Sequence, residues 1–486
     1  MPISAFHPTA RLRLRRFVAR SAATALAAML GACAALPVPS LPDGTPAQWE
    51  QDNTAPAPDL RSWWKAFHDP TLDRLVDAAL ADNLTLAQSV ARVEAARRLA
   101  GASDLAHLPQ VNFHTYSEPT PDSSASYFQF GFDAKWEFGW FGRSTSEHRI
   151  AAGNLDAAYA DAQAARVSVV AETVKTYLEL RAAQERLALL DGVANDERRR
   201  GELVATRVRL RMSAPGELAR AQTQAAAAQA ALAEPRVANA RSRHQLAALL
   251  GRAEPEDALL GTGALPELGE GGIASAPADL LRTRPDIRRA EADVLKSAGE
   301  LGIARADRLP RLGLGGALTY AARVIGHTHL SNADGIVTFG PAIEIPLLDW
   351  GMRQAAVDAR DAQLAASVFA YRQAVVDAIA EAETALATLE EQRRREVALT
   401  QTLDPLEREA QAAATRQRLG FADGIDGLDA DTAFARARLE TLAARQDRAL
   451  AFVALYKALG GAPLPPPDED MSSESRAARP AAEGAR

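Results

Sequence analysis

The chain repeats itself, and a duplicated unit restricts the fold more than any single stretch does. "AHLPQVNFHTY" at 106–116 returns as "DRLPRLGLGGA" at 307–317, with Pro109 and Pro310 an offset of 201 residues apart. "WFGR" at 140–143 has its counterpart in "DWGMR" at 349–353. "ATRVRLRM" at 205–212 reappears as "ATRQRLGF" at 414–421, an offset of 209, and "AALLG" at 247–251 answers "YKALG" at 456–460 with the same offset. Matches kept in one order mean two copies of one unit. Each copy reads as helix, two strands, long helix, tight turn and second helix.

In the first copy the opening helix is predicted over about Pro70 to His107, and the long helix begins after Gly142. Val167, Val170, Val174 and Tyr177 fall at the three-four spacing of a packing stripe. No proline interrupts 143–212, so at about 1.5 Å per residue this helix can run on the order of 100 Å. The second copy repeats it from Arg353 to Leu419, with Val368, Val375, Ile379, Ala382, Leu386 and Leu389 at coiled-coil spacing. Pro405 is expected to kink or break that helix, and Pro235 the returning helix of the first copy.

The strands are predicted near 111–118, 127–138, 311–320 and 335–347. The second places Phe128, Phe130, Phe132, Ala134, Trp136 and Phe138 on one side and Gln129, Asp133, Lys135 and Glu137 on the other, because side chains alternate across a strand. Leu312, Leu314, Leu318 and Tyr320 share a face of the third strand, and Val337, Phe339, Ile343, Ile345 and Leu347 a face of the fourth, with Glu344 opposite. Pro341 lies on the apolar face and predicts a bulge. In a soluble protein such faces meet a core. In a membrane barrel they meet lipid, and roughly 9 to 11 residues is a crossing length. Lipid tolerates no open sheet edge, and single-chain barrels need about eight strands or more. A chain with four must therefore pool them with copies of itself, two copies giving eight and three giving twelve.

Residues 1–32 carry five arginines and no lysine, aspartate or glutamate, followed by an apolar run from Ser21 to Leu30 and then "MLGAC". This is a secretory signal in form. It resembles a bacterial lipoprotein lipobox, which makes Cys33, the only cysteine, the expected lipid attachment site and rules out an intramolecular disulfide. Cleavage before Cys33 takes the formal charge from −7 to −12, against a nucleic-acid partner. Ala34 after the cysteine favours export to the outer membrane, by resemblance to the sorting rule of such lipoproteins. An uncleaved anchor is the rival, since 21–42 carry no charge, but Pro37, Pro39 and Pro42 shorten any helix there.

The ordered motifs, with "SAPADLLRTRPDIRRAEADV" at 275–294 and "ALYKALGGAP" at 454–463, resemble the TolC-like outer-membrane factor family. The chain is most similar to the NodT-type lipoproteins that serve tripartite resistance-nodulation-division efflux pumps. The resemblance covers about Asp59 to Pro463. It implies a mainly α fold with a small β part: a homotrimer in which each protomer gives four strands to a shared twelve-stranded barrel, continued by a helical barrel through the periplasm. The expected organisation is a signal peptide (1–32), an N-terminal segment (33–69), a first repeat (70–251), a linker (252–284), a second repeat (285–461) and a disordered tail (462–486).

The resemblance also implies partners: a periplasmic adaptor, an inner-membrane pump and outer-membrane lipid. Arg207, Leu210, Arg211 and Met212, with Arg416, Leu419, Gly420 and Phe421, match the family's R-x-x-L-[RG]-hydrophobic tip pattern, which docks the adaptor. Asp423 and Asp426 are candidate gate residues, with helix capping as the plain alternative. The first tip departs with "SAPGE", so the two tips are not expected to be equivalent. Asp133, Glu137 and Glu344 line the lumen and bias it toward cations, or are simply the solvated face of a wall.

No nucleophile with a base, glycine-rich phosphate loop or clustered metal ligands appear, so neither an enzyme nor a cofactor is expected beyond the lipid on Cys33. "HTH" at 327–329 falls short of the ligand count a metal site needs. Two classes remain: a passive exit duct, and a soluble periplasmic scaffold whose strands pack internally.

Overall fold

The structure, a computed structural model, describes residues 38–41, 60–118, 127–269, 284–323 and 335–461. The signal segment, Cys33, the two histidines of "HTH", residues 275–283 of the 275–294 motif and the tail lie outside the described residues. The chain forms two compact units, one containing Val93–Ala158 and Arg289–Arg372, the other Tyr159–Arg288 and Gln373–Arg486 with the segment that ends at Arg92. Among the described residues no helix is long and apolar enough to cross a membrane.

The first unit holds one sheet. Its strands are β1 (Gln110–Glu118), β2 (Tyr127–Glu137), β3 (Arg311–Arg323) and β4 (Gly335–Glu344), in the order β1-β2-β3-β4 with every neighbour antiparallel. Phe113 pairs with Phe132, Phe132 with Leu318, and Leu318 with Val337. That register gathers the apolar residues of all four strands on one face, because a slip of one would send them to the other. This face has no core against it: Phe132 is 51% and Phe339 81% exposed. β4 stops at Glu344, three residues short of expectation, since Pro346 can donate no ladder hydrogen bond. The bulge expected at Pro341 is absent. Pro341 pairs in plain register with Leu314, a position open to proline because β4 is an edge strand, where alternate N–H groups have no partner within the sheet.

The opening helix is two helices, α1 (Pro70–Asp82) and α2 (Leu84–Ala102), where one was expected; a 3-10 turn, Ser103–His107, follows them. Asn83 is extended and breaks the run: its side-chain oxygen accepts from the Leu86 N–H and its Nδ2 donates to the Leu249 carbonyl. The long helices α3 (Arg143–Arg209) and α7 (Met352–Arg418) are 67 residues each. α3 is followed by α4 (Pro215–Ala230) and α5 (Ala233–Leu249), broken just before Pro235 as expected of proline. α6 (Pro285–Ala306) precedes β3, and α8 (Gly424–Ala458) closes the second copy unbroken. α7 likewise runs through Pro405 without the expected break: a helix this long can lose one internal hydrogen bond and continue.

The second unit carries the main core. The stripe Val167, Val170, Val174 and Tyr177 is buried throughout. On α7 the buried seam of this unit is Val375, Ala378, Ala382, Ala385, Leu386 and Leu389, with Ile379 only half-buried; the buried Tyr371 and the half-buried Val368 of the same helix belong to the first unit. Ala378 takes the place expected for Ile379 and is wholly buried. The 3-10 turn Trp63–Phe67 packs on the end of α8, with Trp63 stacked at 5.2 Å on Tyr456 and Phe67 edge-on at 5.5 Å to Phe452. Asp69 caps α1 through Thr71 and Leu72 and accepts a 2.6 Å hydrogen bond from the Tyr177 hydroxyl. Burial, reinforced by that carboxylate, pushes the Tyr177 hydroxyl up to about 12.

The backbone confirms the duplication residue by residue. Phe141 and Trp350, Gly142 and Gly351, Arg211 and Gly420, and Gly251 and Gly460 all have positive φ, each pair 209 apart. Before the strands the offset is 201, and there too the device recurs: Arg284, the counterpart of Asn83, donates from Nη1 to the carbonyl of Ala458, the counterpart of Leu249.

Candidate functional site

Both helical hairpins turn in the same way. At the end of α3 the Met212 N–H donates to the Arg207 carbonyl (2.8 Å) and the Arg211 N–H to that of Val208 (3.0 Å). At the end of α7 the Phe421 N–H donates to the Arg416 carbonyl (2.9 Å) and the Gly420 N–H to that of Gln417 (3.0 Å). These are two Schellman motifs, so the R-x-x-L-[RG]-hydrophobic pattern has a backbone meaning. Its fifth position is the left-handed residue after the helix, φ 56° at Arg211 and 77° at Gly420, and its last is the residue whose N–H reaches back. Leu210, Met212, Leu419 and Phe421 are all exposed, so each tip presents two apolar side chains to solvent.

Arg211 holds a conformation that costs an L-residue about 1–2 kcal/mol, whereas Gly420 holds it freely. Arg211→Gly is expected to slow hydrogen exchange at the Met212 amide about fivefold, corresponding to about 1 kcal/mol of local stability. Gly420→Ala is expected to speed exchange at Phe421 by a similar factor.

The next helices start differently. Ala214 occupies the cap of α4 with no side-chain hydrogen bond, before Pro215. Its counterpart Asp423 caps α8, its Oδ1 accepting from the N–H groups of Ile425 (2.7 Å) and Asp426 (3.2 Å). The tips thus share a backbone and differ in side chains. Asp423 also pairs with the Arg207 guanidinium, tying the second hairpin to the first. Slight burial pushes the Asp423 carboxyl up, but Arg207 and the two N–H groups outweigh it and hold the group below the usual carboxylate range. Asp426 lies exposed in the first turn of α8. Nearer the middle of α3, Arg200 pairs with Asp429 at 2.6 Å, a second tie between the hairpins.

On the sheet, Asp133, Glu137 and Glu344 do share the face opposite the apolar one. Asp133 lies 3.0 Å from His114 Nδ1. Glu137 is 3.6 Å from Arg143, and Glu344 is in register with Arg311, which donates to Asp307 at 2.7 Å. Sequence reading singled out the carboxylates and missed their partners, which come from other strands and helices. Among the described residues no group of three or more His, Cys, Asp or Glu is placed to hold a metal ion.

An amphipathic four-stranded sheet with open edges, carried on duplicated long helical hairpins, defines the TolC-like class of outer-membrane channel. The chain belongs to the outer membrane efflux protein family, whose model matches residues 75–252 and 276–461. It is similar to Nodulation protein T of Rhizobium leguminosarum bv. trifolii, 28% identical over 82% of this chain and 87% of that one. It is also similar to the pyoverdine export outer membrane protein OpmQ of Pseudomonas putida, 28% identical over 90% and 96%. The solved outer-membrane channel OprN superposes with a TM-score of 0.74 at 30% identity, covering 87% of this chain and 98% of that one.

Proposed function

We propose that three copies of this chain form the passive outer-membrane exit duct of a tripartite efflux system. The observation that carries this reading is the bare apolar face of the sheet, with β1 and β4 as unpaired edges, in a chain of this family. Joined edge to edge, three sheets of four strands close a twelve-stranded barrel that turns the apolar face to lipid and leaves no edge open. A soluble scaffold has nothing to cover that face. Transport is powered by an inner-membrane pump of the resistance-nodulation-division type, through a periplasmic adaptor that docks on the exposed residues of the two tips. The lipid on Cys33 holds the mature N-terminus at the outer membrane, and no other cofactor is needed.

In the idle duct the Arg207–Asp423 pair keeps the two tips of each protomer together, so Asp423 acts through that contact rather than as a free acidic ring. The purified protein is expected to need detergent, to cross-link as a trimer and to conduct ions in a planar bilayer. A monomer dispersed in plain buffer, or a bilayer without conductance, overturns the proposal. Arg207→Ala is expected to raise the idle conductance severalfold while the trimer persists. Unchanged conductance removes the pair from gating.

A further inference from the structure

Where the sheet gives way to helices, the first unit leaves two patches of apolar side chains bare. One is the entry to β1, where Leu105 of the 3-10 turn is 58% exposed and Leu108 is exposed beside it. The other is the exit from β4, where Leu347, Leu348, Trp350 and Met352 are all exposed, Trp350 at 89%. Single exposed leucines need no explanation, but four large apolar side chains within six residues make a surface that something covers.

Trp350 is held outward against its own preference. Its φ of 56° is left-handed in a residue that carries a Cβ, and Asp349 pins the turn by accepting from the Gly351 and Arg353 N–H groups at 3.1 Å each. The corresponding connector after β2 covers itself. Its Phe141 is half-buried, and Phe138 packs between Trp136 at 5.0 Å and Trp140 at 5.5 Å. β2 has a strand on either side, whereas β4 has one on one side only.

Strand order identifies the cover. Gln110 pairs with Lys135, Glu137 with Gly313 and Arg311 with Glu344, so the start of β1 and the end of β4 lie at the same rim of the sheet, on its two open edges. Within one chain β2 and β3 separate them. When β4 of one protomer joins β1 of the next, antiparallel like every other pair, the end of β4 comes beside the start of that β1. Each connector is carried along, so the exit patch meets the entry patch of the next protomer and never its own twin. Such a contact runs head to tail and can close a ring.

We propose that Leu348, Trp350 and Met352 of one protomer pack on Leu105 and Leu108 of the next, as an apolar collar that locks the seam where strands pass into helices. This rests on the duct reading, because it needs the sheet edges to join. Trp350 is the anchor, a large ring presented on a fixed turn and taken out of water only when the protomers assemble.

The test is disulfide formation between protomers of the full-length protein in membranes. Leu105→Cys combined with Trp350→Cys, and Leu108→Cys combined with Leu348→Cys, are expected on oxidation to give a covalent trimer on a non-reducing gel, and each single substitution to give none. In the otherwise native chain, Trp350→Ser is expected to make trimers in detergent dissociate about tenfold faster, with helical circular dichroism unchanged. Conducting trimers that form no disulfide in either combination, or a dissociation rate that Trp350→Ser leaves unchanged, overturn the collar and leave the duct standing. Quenching of a bimane label on Trp350→Cys by brominated phospholipid gives the patch to lipid and overturns the collar in the same way. Absence of both trimer and conductance overturns the two together.

Discussion

Arginine in place of Phe132 is expected to abolish assembly in the outer membrane, while arginine in place of Thr338 is not. Phe132 is at the middle of β2, between Phe113 and Leu318 on the apolar face. A cation facing lipid at mid-depth costs about 2–4 kcal/mol per chain, and a closed trimer meets that cost in every protomer. Thr338 pairs with Ala317 on the polar face, where a long cation reaches water. The readout is the fraction of protein in the outer-membrane pellet and the yield of cross-linked trimer, with helical circular dichroism showing that the hairpins have folded. If Phe132→Arg inserts as well as the wild type, that face does not meet lipid.

The second large effect concerns Arg284, in the motif "LLRTRPDIRRAE". It is almost wholly buried and serves several acceptors. Its Nε and Nη2 grip Asp286 at 3.0 and 2.8 Å, Nη2 also reaches Glu381 at 2.6 Å, and Nη1 donates to the Ala458 carbonyl at the buried end of α8. Removing one partner of a buried pair costs about 3–5 kcal/mol. Because Asp286 and Glu381 are about half exposed and can rehydrate, Arg284→Met is expected near the lower end, about 3 kcal/mol by urea unfolding followed through helical circular dichroism. Arg353→Met, which breaks a partly exposed pair with Asp349 one turn away, is expected to cost less, about 1 kcal/mol.

The same clamp gives a pH signature. Burial pushes the Asp286 carboxyl up, but Arg284 and the Ile287 N–H outweigh it and hold the group below its ordinary value. A depressed carboxylate stabilises the fold above the unfolded value near 4 and ceases to as pH falls through the native one. Wild-type stability is therefore expected to decline below about pH 4, and Arg284→Met to decline less over the same range.

Two kinds of feature were legible in the sequence. Alternation in β2 and the stripe on α3 show through because burial or lipid selects whole faces, and the repeat shows because both copies keep the same turn residues. Contacts between distant residues did not show. Arg207 and Asp423 are separated by a whole repeat, and nothing in either neighbourhood announces the other. Asn83 looked like an interior helix residue until its amide was seen to close the end of α5. The left-handed turns were half visible: Gly142, Gly351 and Gly420 advertise them, but Phe141, Trp350 and Arg211 adopt positive φ without the residue that normally betrays it. Ala378 was passed over for Ile379 because hydrophobicity ranks the larger residue first, whereas the seam buries the smaller one wholly.

The change of offset from 201 to 209 has a practical consequence. Every backbone landmark of the helical hairpins keeps step between the copies, so the second copy's surplus of eight residues falls wholly between Pro310 and Gly351. Growth there has altered neither the turn after β4 nor anything beyond it. The stretch between β3 and β4 is accordingly the place to graft an epitope or a fluorescent label, because residues added there leave the paired turns of the two helical copies in phase.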